Sequence, residues 1–507
     1  MAKLNPGSSS LALTSFVSVL ACAGACTGEG GGNDDGFSVG ITNSSTEDTG
    51  PTTNPGDGDP SGDGDPSGDG DPSGDGDPSG DGDPTGGGGT TKFDLAPIGD
   101  GGSGGEGFGP GNCRASEIYG AAGNFPDYDD PNYDDFRDKT IAIVSHRNGG
   151  GIGDNVITIV DISGDPPPPN SYYAAPLYWQ DHWDEQTIGR IFGITLDGVG
   201  NMYVAPSTVF GATGNPDTVK RIDAITGQVS DFVTLPNNGP AFGNLNYDCV
   251  SDTIYISNHE DGRIYQVRVA NGDIRSTYRH SDGDVTMGPA NDPGEPNGQF
   301  YPVAERPWAV QSHAGRLYYS VWVEHSNVSN QDNNSVWSVA YTGMSGVPDP
   351  GTAREEFQVP NANNSSQPVS DISFAHDGRM LVAQRTMYGD MQTSAHQSTT
   401  FDYLYMNGTW VWQGTNFVVG ELMPYSAAGG VDHDFVEDGY VWMTGDALDF
   451  YTPDVVYGLQ GTPHDGGDIT NSTLIDLDHE VTQQDKTDYG DVELPIPGDV
   501  SPVPPPG

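Results

Sequence analysis

Positive charge is scarce in this chain. Its 507 residues carry 19 Lys and Arg against 72 Asp and Glu, a formal net charge of −53. No cation stands between Cys22 and Lys92. Nucleic-acid affinity comes from neutralising phosphates with Lys and Arg, so a polynucleotide is excluded as a partner class. Direct adhesion to anionic headgroups is disfavoured on the same ground, whereas solubility in saline or calcium-rich surroundings is favoured. Helical signals are absent too: there are no heptads and no N-cap followed by an amphipathic run. No GxSxG elbow sits between a strand and a helix, and neither HExxH nor a P-loop occurs. Cysteine is limited to four residues, Cys22, Cys26, Cys113 and Cys249.

The N-terminus has one early cation, Lys3, followed by LALTSFVSVLACAGAC. The apolar run from Leu11 to Ala25 is too short and too rich in small residues for a membrane span, which needs about 20 apolar residues. It fits the apolar core of a secretory signal. Val19-Leu20-Ala21-Cys22 resembles the lipobox of bacterial lipoproteins. The resemblance implies cleavage before Cys22 and acylation of its thiol, with Cys26 as the alternative after the poorer match Ala23-Gly24-Ala25. Two acyl chains give stable attachment. Residues 1–26 are therefore expected to be a signal peptide with lipobox. The product is expected to be exported and held at an outer membrane or cell surface.

Residues 27–112 read as a tether. They hold few apolar side chains, and the six-residue repeat DGDPSG begins at Asp57, Asp63, Asp69 and Asp75, with DGDP again at Asp81. Such a segment cannot offset the entropy of ordering, and its prolines and like charges extend it. Asp-Gly-Asp-Pro-Ser-Gly also matches the first half of an EF-hand loop, but no Glu arrives at position 12.

Composition shifts near Cys113. Residues 113–477 are rich in short runs of Val, Ile, Tyr, Trp and Phe. The stretch Ile191–Gly227 shows the grammar: a short strand, the turn Asp197-Gly198-Val199-Gly200-Asn201, a second strand at Met202–Ala205, a loop, and a third strand at Val219–Ile222. Five further segments repeat it, at Thr140–Ile162, Phe242–Ile274, Pro307–Thr342, Val369–Met406 and Gly430–Leu459. Lead positions Ile194, Leu245, Ala309, Ile372 and Val431 recur about every 50 to 65 residues. A unit of this size cannot bury its own faces, so copies must pack radially. The predicted fold is an all-β propeller, with six blades, or seven if Thr409–Leu422 belongs to another. Residues 478–507 read as an acidic, Pro-rich tail. Cys113 and Cys249, in an oxidising compartment, are a candidate disulfide.

At two places the match is closest. Phe192-Gly193-Ile194-Thr195-Leu196-Asp197 with Met202–Ala205, and Ile254–His259 with Arg263–Val267, resemble the NHL-type and gluconolactonase-like six-bladed propellers. The resemblance covers roughly residues 139–460. It implies a divalent cation, Ca2+, on the central axis, held by Glu, Asn and Asp from loops of several blades. Asn258, Glu260 and Asp261 have the right chemistry for a hard cation, and a hairpin turn paired with Arg263 explains them as well. Asp432 and Asp434 fall on one side of a strand by alternation, with His433 on the other. These carboxylates suit either an axial Ca2+ or turn positions. His313 and His376-Asp377 occupy turn slots, and His182 lies between Trp179 and Trp183 in a loop suited to packing or to ligand contact.

The leading reading is a monomeric, lipid-anchored propeller acting as a surface-displayed binding module for a protein or carbohydrate ligand. A Ca2+-dependent hydrolase or lactonase is the alternative, and a structural part of an envelope assembly a third. The first two differ in one respect. An enzyme of that type needs several oxygen ligands converging on one axial cation, whereas a binding module needs an exposed face.

Overall fold

The computed structural model describes residues 125–147, 155–164, 168–323, 333–360, 366–375, 378–414, 417–421, 425–434, 439–450, 454–481 and 488–495. Cys22, Cys26, the DGDPSG repeats, Cys113, His376 and Asp377 lie outside them. The described residues form six antiparallel sheets and, apart from short 3-10 turns, no helix. The fold is a six-bladed β-propeller.

From the axis outward, blade two contains Ile191–Leu196, Met202–Pro206, Thr218–Ile222 and Val229–Thr234. Blade three contains Phe242–Asp248, Thr253–Asn258, Arg263–Arg268, Ile274–Arg279 and Val285–Met287. Blade four contains Arg306–His313, Arg316–Trp322, Ser335–Ala340 and Arg354–Gln358. Blade five contains Val369–Phe374, Arg379–Gln384, Thr400–Met406 and Thr409–Trp412. Blade six contains Ala427–His433, Tyr440–Gly445, Gly458–Pro463 and Thr473–Asp476, and Ser171–Tyr173 is added in parallel on its outer edge.

Blade one differs from the sequence-based expectation. Its innermost strand is Tyr489–Glu493, inside the stretch read as an acidic tail. Ile141–His146, Ile157–Asp161 and Leu177–Tyr178 follow outward. The chain therefore closes its ring with its own C-terminal part, and Thr140–Ile162 supplies only second and third strands. The expected extra unit at Thr409–Leu422 also dissolves, because Thr409–Trp412 pairs with Thr400–Met406 as the outermost strand of blade five.

The core is divided into six wedges, one between each pair of neighbouring blades. Ile143 and Ile159 of blade one meet Ile194 and Val204 of blade two, for example, and Tyr255 of blade three meets Tyr319 and Val339 of blade four. A blade is thus buried on both faces. This is why its inner strands read as unbroken apolar runs such as Ile191–Leu196, buried throughout, while outer strands such as Val229–Thr234 open to solvent. Cys249 opens the third blade's first turn and is disulfide-bonded.

All six inner strands carry a bulge at the same level. The bulge brings neighbouring backbones together, and glycine stands at several of the close approaches. A Cβ on Gly243 would lie 2.9 Å from Trp308 Cα, and one on Gly430 would lie 2.7 Å from the Gly490 carbonyl. In four blades a second-strand hydroxyl bridges the bulge to the next blade. Asn244 N–H donates to Ser257 Oγ (3.0 Å), which donates to the Trp308 carbonyl (2.5 Å). Ala309 N–H, Ser320 and the Val369 carbonyl repeat the chain at 2.9 and 2.7 Å. Gly430 N–H, Thr444 and the Gly490 carbonyl do so at 2.9 and 2.7 Å. Asp491 N–H, Ser145 and the Phe192 carbonyl complete the set. The equivalent residues in blades two and five are Ala205 and Ala383.

Candidate functional site

The axis is lined by strand edges, and an unpaired edge buried at the centre must find partners for its N–H groups. The residue after the bulge supplies them in alternate blades. Asp491 of blade one accepts from Val492 N–H (3.0 Å) and from Ile194 N–H of blade two (3.1 Å). Asp371 of blade five accepts from Ile372 N–H and from Val431 N–H of blade six, both at 2.8 Å. Asn244 of blade three accepts from Leu245 N–H (2.7 Å), and its amide donates to the Ser370 carbonyl (3.1 Å) and Asp371 Oδ1 (3.3 Å). Asp371 and Asp491 are also hydrogen-bonded to each other. A belt with approximate three-fold symmetry results, and the even blades put Gly193, Ala309 and Gly430 at the equivalent positions.

Nearer the end where the inner strands finish, Asp432 accepts from Leu494 N–H (2.8 Å), Ser373 Oγ (2.8 Å) and its own neighbour's His433 N–H (2.8 Å). Glu493, partly exposed, faces it. Burial pushes all four carboxyls upward: Asp432 to about 7, and Asp371, Asp491 and Glu493 well above the ordinary carboxylate range. The second cause for Glu493 is the charge of Asp432 and then Asp371, and for Asp371 the charge of Asp491. At neutral pH the axis therefore holds carboxylic acids sharing protons, not a row of free carboxylates.

The residues singled out as cation ligands fall into two groups at opposite ends of the axis. Asn258 pairs across from Phe242, where the inner strand of blade three begins, whereas Asp434 follows the end of the inner strand of blade six. Each is occupied locally. Asn258 Oδ1 accepts from the Asn237 amide (2.8 Å) and Glu260 N–H (2.9 Å). Glu260 accepts from Asn238 N–H and Gly298 N–H, both at 2.5 Å, and so pins two loops. Asp261 takes the Tyr265 hydroxyl (2.5 Å) and Arg263 N–H (3.0 Å), and burial lifts it to about 7. Asp434 accepts from Tyr440 N–H (2.8 Å). Among the described residues no three His, Cys, Asp or Glu side chains are arranged to hold a metal ion. Strand alternation does not separate His433 from Asp432, because both reach Ser373 Oγ where the strand ends. His182 and the buried Trp183 indole both donate to or meet the Gly227 carbonyl at 2.9 Å, and His313 stacks on Phe374 with centroids 3.9 Å apart. These are packing roles.

The leading end of the axis is closed by rings. Phe192, Phe210, Trp308, Trp322 and Met387 form one buried cluster. His259 lies against Trp308 and Trp322 with both ring nitrogens unpartnered. Burial, with the Arg306 charge second, holds its imidazole well below the usual range, so it is neutral. Arg306 donates to Asp390 (2.7 Å) and stacks over Phe300 and Trp322; Arg385, fully buried, donates to Asp446 (2.7 Å). The arrangement is a plug that covers the axial acids.

The rim offers what the axis does not. The outer edge of blade one is two residues long and lies under the rings of Tyr128 and Tyr133. Blades two and four end in strands bearing Asp231, and Arg354, Glu355 and Glu356. Blade three ends in a three-residue strand, and blade six is covered by Ser171–Tyr173. Blade five ends in Thr409-Trp410-Val411-Trp412, with no charge and no described strand on its outer side. The hairpin turn Asn407-Gly408, both at positive φ, presents it. Tyr405 is 49% exposed and Trp412 46%, with Met406 and Val411 beside them.

No family model and no curated protein matches this chain. Several solved structures are similar to it. A nidogen–laminin complex chain aligns at 10% identity over 70% of this chain and 98% of that one, TM-score 0.36. A periplasmic gluconolactonase of Pseudomonas aeruginosa aligns at 13% identity over 71% and 99%, TM-score 0.36. An ulvan lyase aligns at 11% identity over 65% and 79%, TM-score 0.32. Scores this low add nothing to what the six closed sheets establish by themselves.

Proposed function

We propose that this protein is an exported, lipid-anchored binding module whose contact surface is the outer edge of blade five. The bare strand Thr409–Trp412 carries this reading. Unpaired edge N–H and C=O groups, flanked by exposed aromatic side chains, recognise an extended chain by strand addition. Blade six supports it from within the molecule, since its outer edge accepts Ser171–Tyr173 in that way. The net charge of −53 favours an occupant that brings apolar residues between basic ones. The partner class is thus an extended, apolar segment of a cationic protein.

The reading is tested with a labelled decapeptide of alternating Val and Thr capped by Lys at each end, titrated by fluorescence anisotropy. Wild-type protein is expected to bind it saturably. Trp412→Pro, which removes an outward-facing edge donor, and Trp412→Lys are expected to weaken it at least about tenfold with little change in melting temperature. Absence of binding, or equal binding by all three proteins, would overturn the proposal. The Ca2+-dependent lactonase alternative has less to rest on, because its expected ligands lie at opposite ends of the axis and are already hydrogen-bonded.

A further inference from the structure

A second surface lies on the other side of the ring from blade five. Between the outer strand of blade two and the outer half of blade three is a groove of about 710 Å³. Phe232, Val233, Ile274, Met287 and Pro289 give it apolar walls. Arg268 and Arg275 also line it. These two arginines stand apart. The eleven other arginines among the described residues each bind a carboxylate, carbonyl or hydroxyl through the guanidinium, as Arg263 does with Asp284 and Asp292 or Arg316 with Ser338. Arg268 and Arg275 make no such bond, although acids outnumber bases almost fourfold.

The backbone explains how they come to share one groove. Arg268 ends the third strand of its blade and Arg275 is the second residue of the fourth, on either side of the turn Val269–Asp273. The register between these strands slips, so that Gln266 faces Ser276 and Val267 faces Ile274. Arg275 is the extra residue, and a bulge of this kind re-aims a side chain. Gly272, at φ +72°, brings the turn against the Phe232 carbonyl, where a Cβ would lie 2.5 Å away, and so seals one end. Asp273, the one acid in the lining, is held by the Asn271 amide at 2.6 Å.

We infer that this groove binds a small amphiphile: an anionic carboxylate or phosphate head held by Arg268 and Arg275, and an apolar tail laid along Phe232, Ile274 and Met287. Guanidinium pairs are the usual partners of such heads, and the volume suits a molecule of this size. The head could belong to a free molecule or to a membrane lipid.

The test uses the full chain and isothermal titration with decanoate, decanol and acetate below the critical micelle concentration. Decanoate is expected to bind at one site, at least tenfold more tightly than either of the others. Arg268→Gln and Arg275→Gln are each expected to weaken it tenfold without shifting the melting temperature, and Met287→Asp to weaken it while leaving both arginines in place. Cosedimentation with phosphatidylglycerol vesicles separates the sources. Decanoate binding without vesicle binding assigns a free molecule; arginine-dependent binding to the vesicles assigns a lipid head. Equal affinity for decanoate and decanol, or decanoate binding that survives the double Arg→Gln variant in the absence of arginine-dependent vesicle binding, would overturn the site.

Discussion

Each blade has two free edges, one on the axis and one on the rim, and they are treated in opposite ways. On the axis, edge N–H groups such as Ile194, Val431 and Leu494 are satisfied by side chains, mainly the carboxyl groups of Asp491, Asp371 and Asp432. On the rim, edges are shortened, charged or covered, except in blade five. The comparison reassigns the acids. A carboxylate near a propeller axis invites a catalytic or metal-binding role, yet here it does the work of a missing neighbouring strand. The place left unsatisfied, and so available to a partner, is an uncharged stretch of Trp and Val.

Breaking the axial side should have the largest effect. Asp491→Ala strands the N–H groups of Ile194 and Val492 in the interior, each costing about 1–3 kcal/mol, so a loss of about 2–5 kcal/mol is expected in urea denaturation. Asp491→Asn keeps one of the two acceptor oxygens and turns an amide NH2 toward the other N–H, so it should recover only part of that loss. A small loss for both would mean that the belt does not hold the ring. The protonation of the belt gives the next effect. Because Asp432 and its neighbours have folded-state values above the ordinary carboxylate range, the native state holds more protons than the unfolded chain once the pH passes about 4. Their contribution is fully present below that and is lost as the pH rises through about 7 for Asp432. The melting temperature should therefore be higher at pH 5 than at pH 8, and Asp432→Asn should flatten the curve between pH 4 and 7. A rise in stability over that interval would contradict the assignment. Ser257→Ala comes third. It removes the bridge between Asn244 N–H and the Trp308 carbonyl and should cost about 1–3 kcal/mol. The native Ala205 and Ala383 show that single bridges are dispensable for closure, so loss of folding would be the unexpected outcome.

The architecture was largely legible in the sequence because blades are local. Strand, turn and alternating strand follow one another, and the lead positions Ile194, Leu245, Ile372 and Val431 all lie in inner strands. Closure was not legible, since Tyr489–Glu493 meets Ile141–His146 across some 340 residues, and no local pattern announces such pairing. Asp371, Asp491 and Glu493 went unnoticed for the same reason. A signal did exist: Gly243-Asn244-Leu245, Ser370-Asp371-Ile372 and Gly490-Asp491-Val492 share a small residue, a side-chain acceptor and an aliphatic residue. Aligned on the bulge, they would have exposed the belt and shown that the presumed tail contains a sixth inner strand. The ligand reading of Asn258, Glu260 and Asp261 rested on residue type alone. Type does not reveal that Asn238 and Gly298 N–H groups already claim the Glu260 carboxylate.

The smallest expected effect on stability is also the sharpest test of the rim. Trp412 is nearly half exposed and touches Phe401 edge-on at 5.9 Å. Trp412→Lys should change stability by no more than about 0.5 kcal/mol, the usual range for a surface site. It should also improve solubility, because Lys on an edge strand opposes pairing with other chains. If blade five is a contact surface, this variant loses peptide binding while its urea midpoint stays fixed. A large stability loss would mean that the edge is part of the inter-blade packing against Phe357 and Tyr403. An axis that is costly to alter and a rim that is cheap to alter, yet essential for binding, is the pattern expected of a scaffold that carries its function on one outer edge.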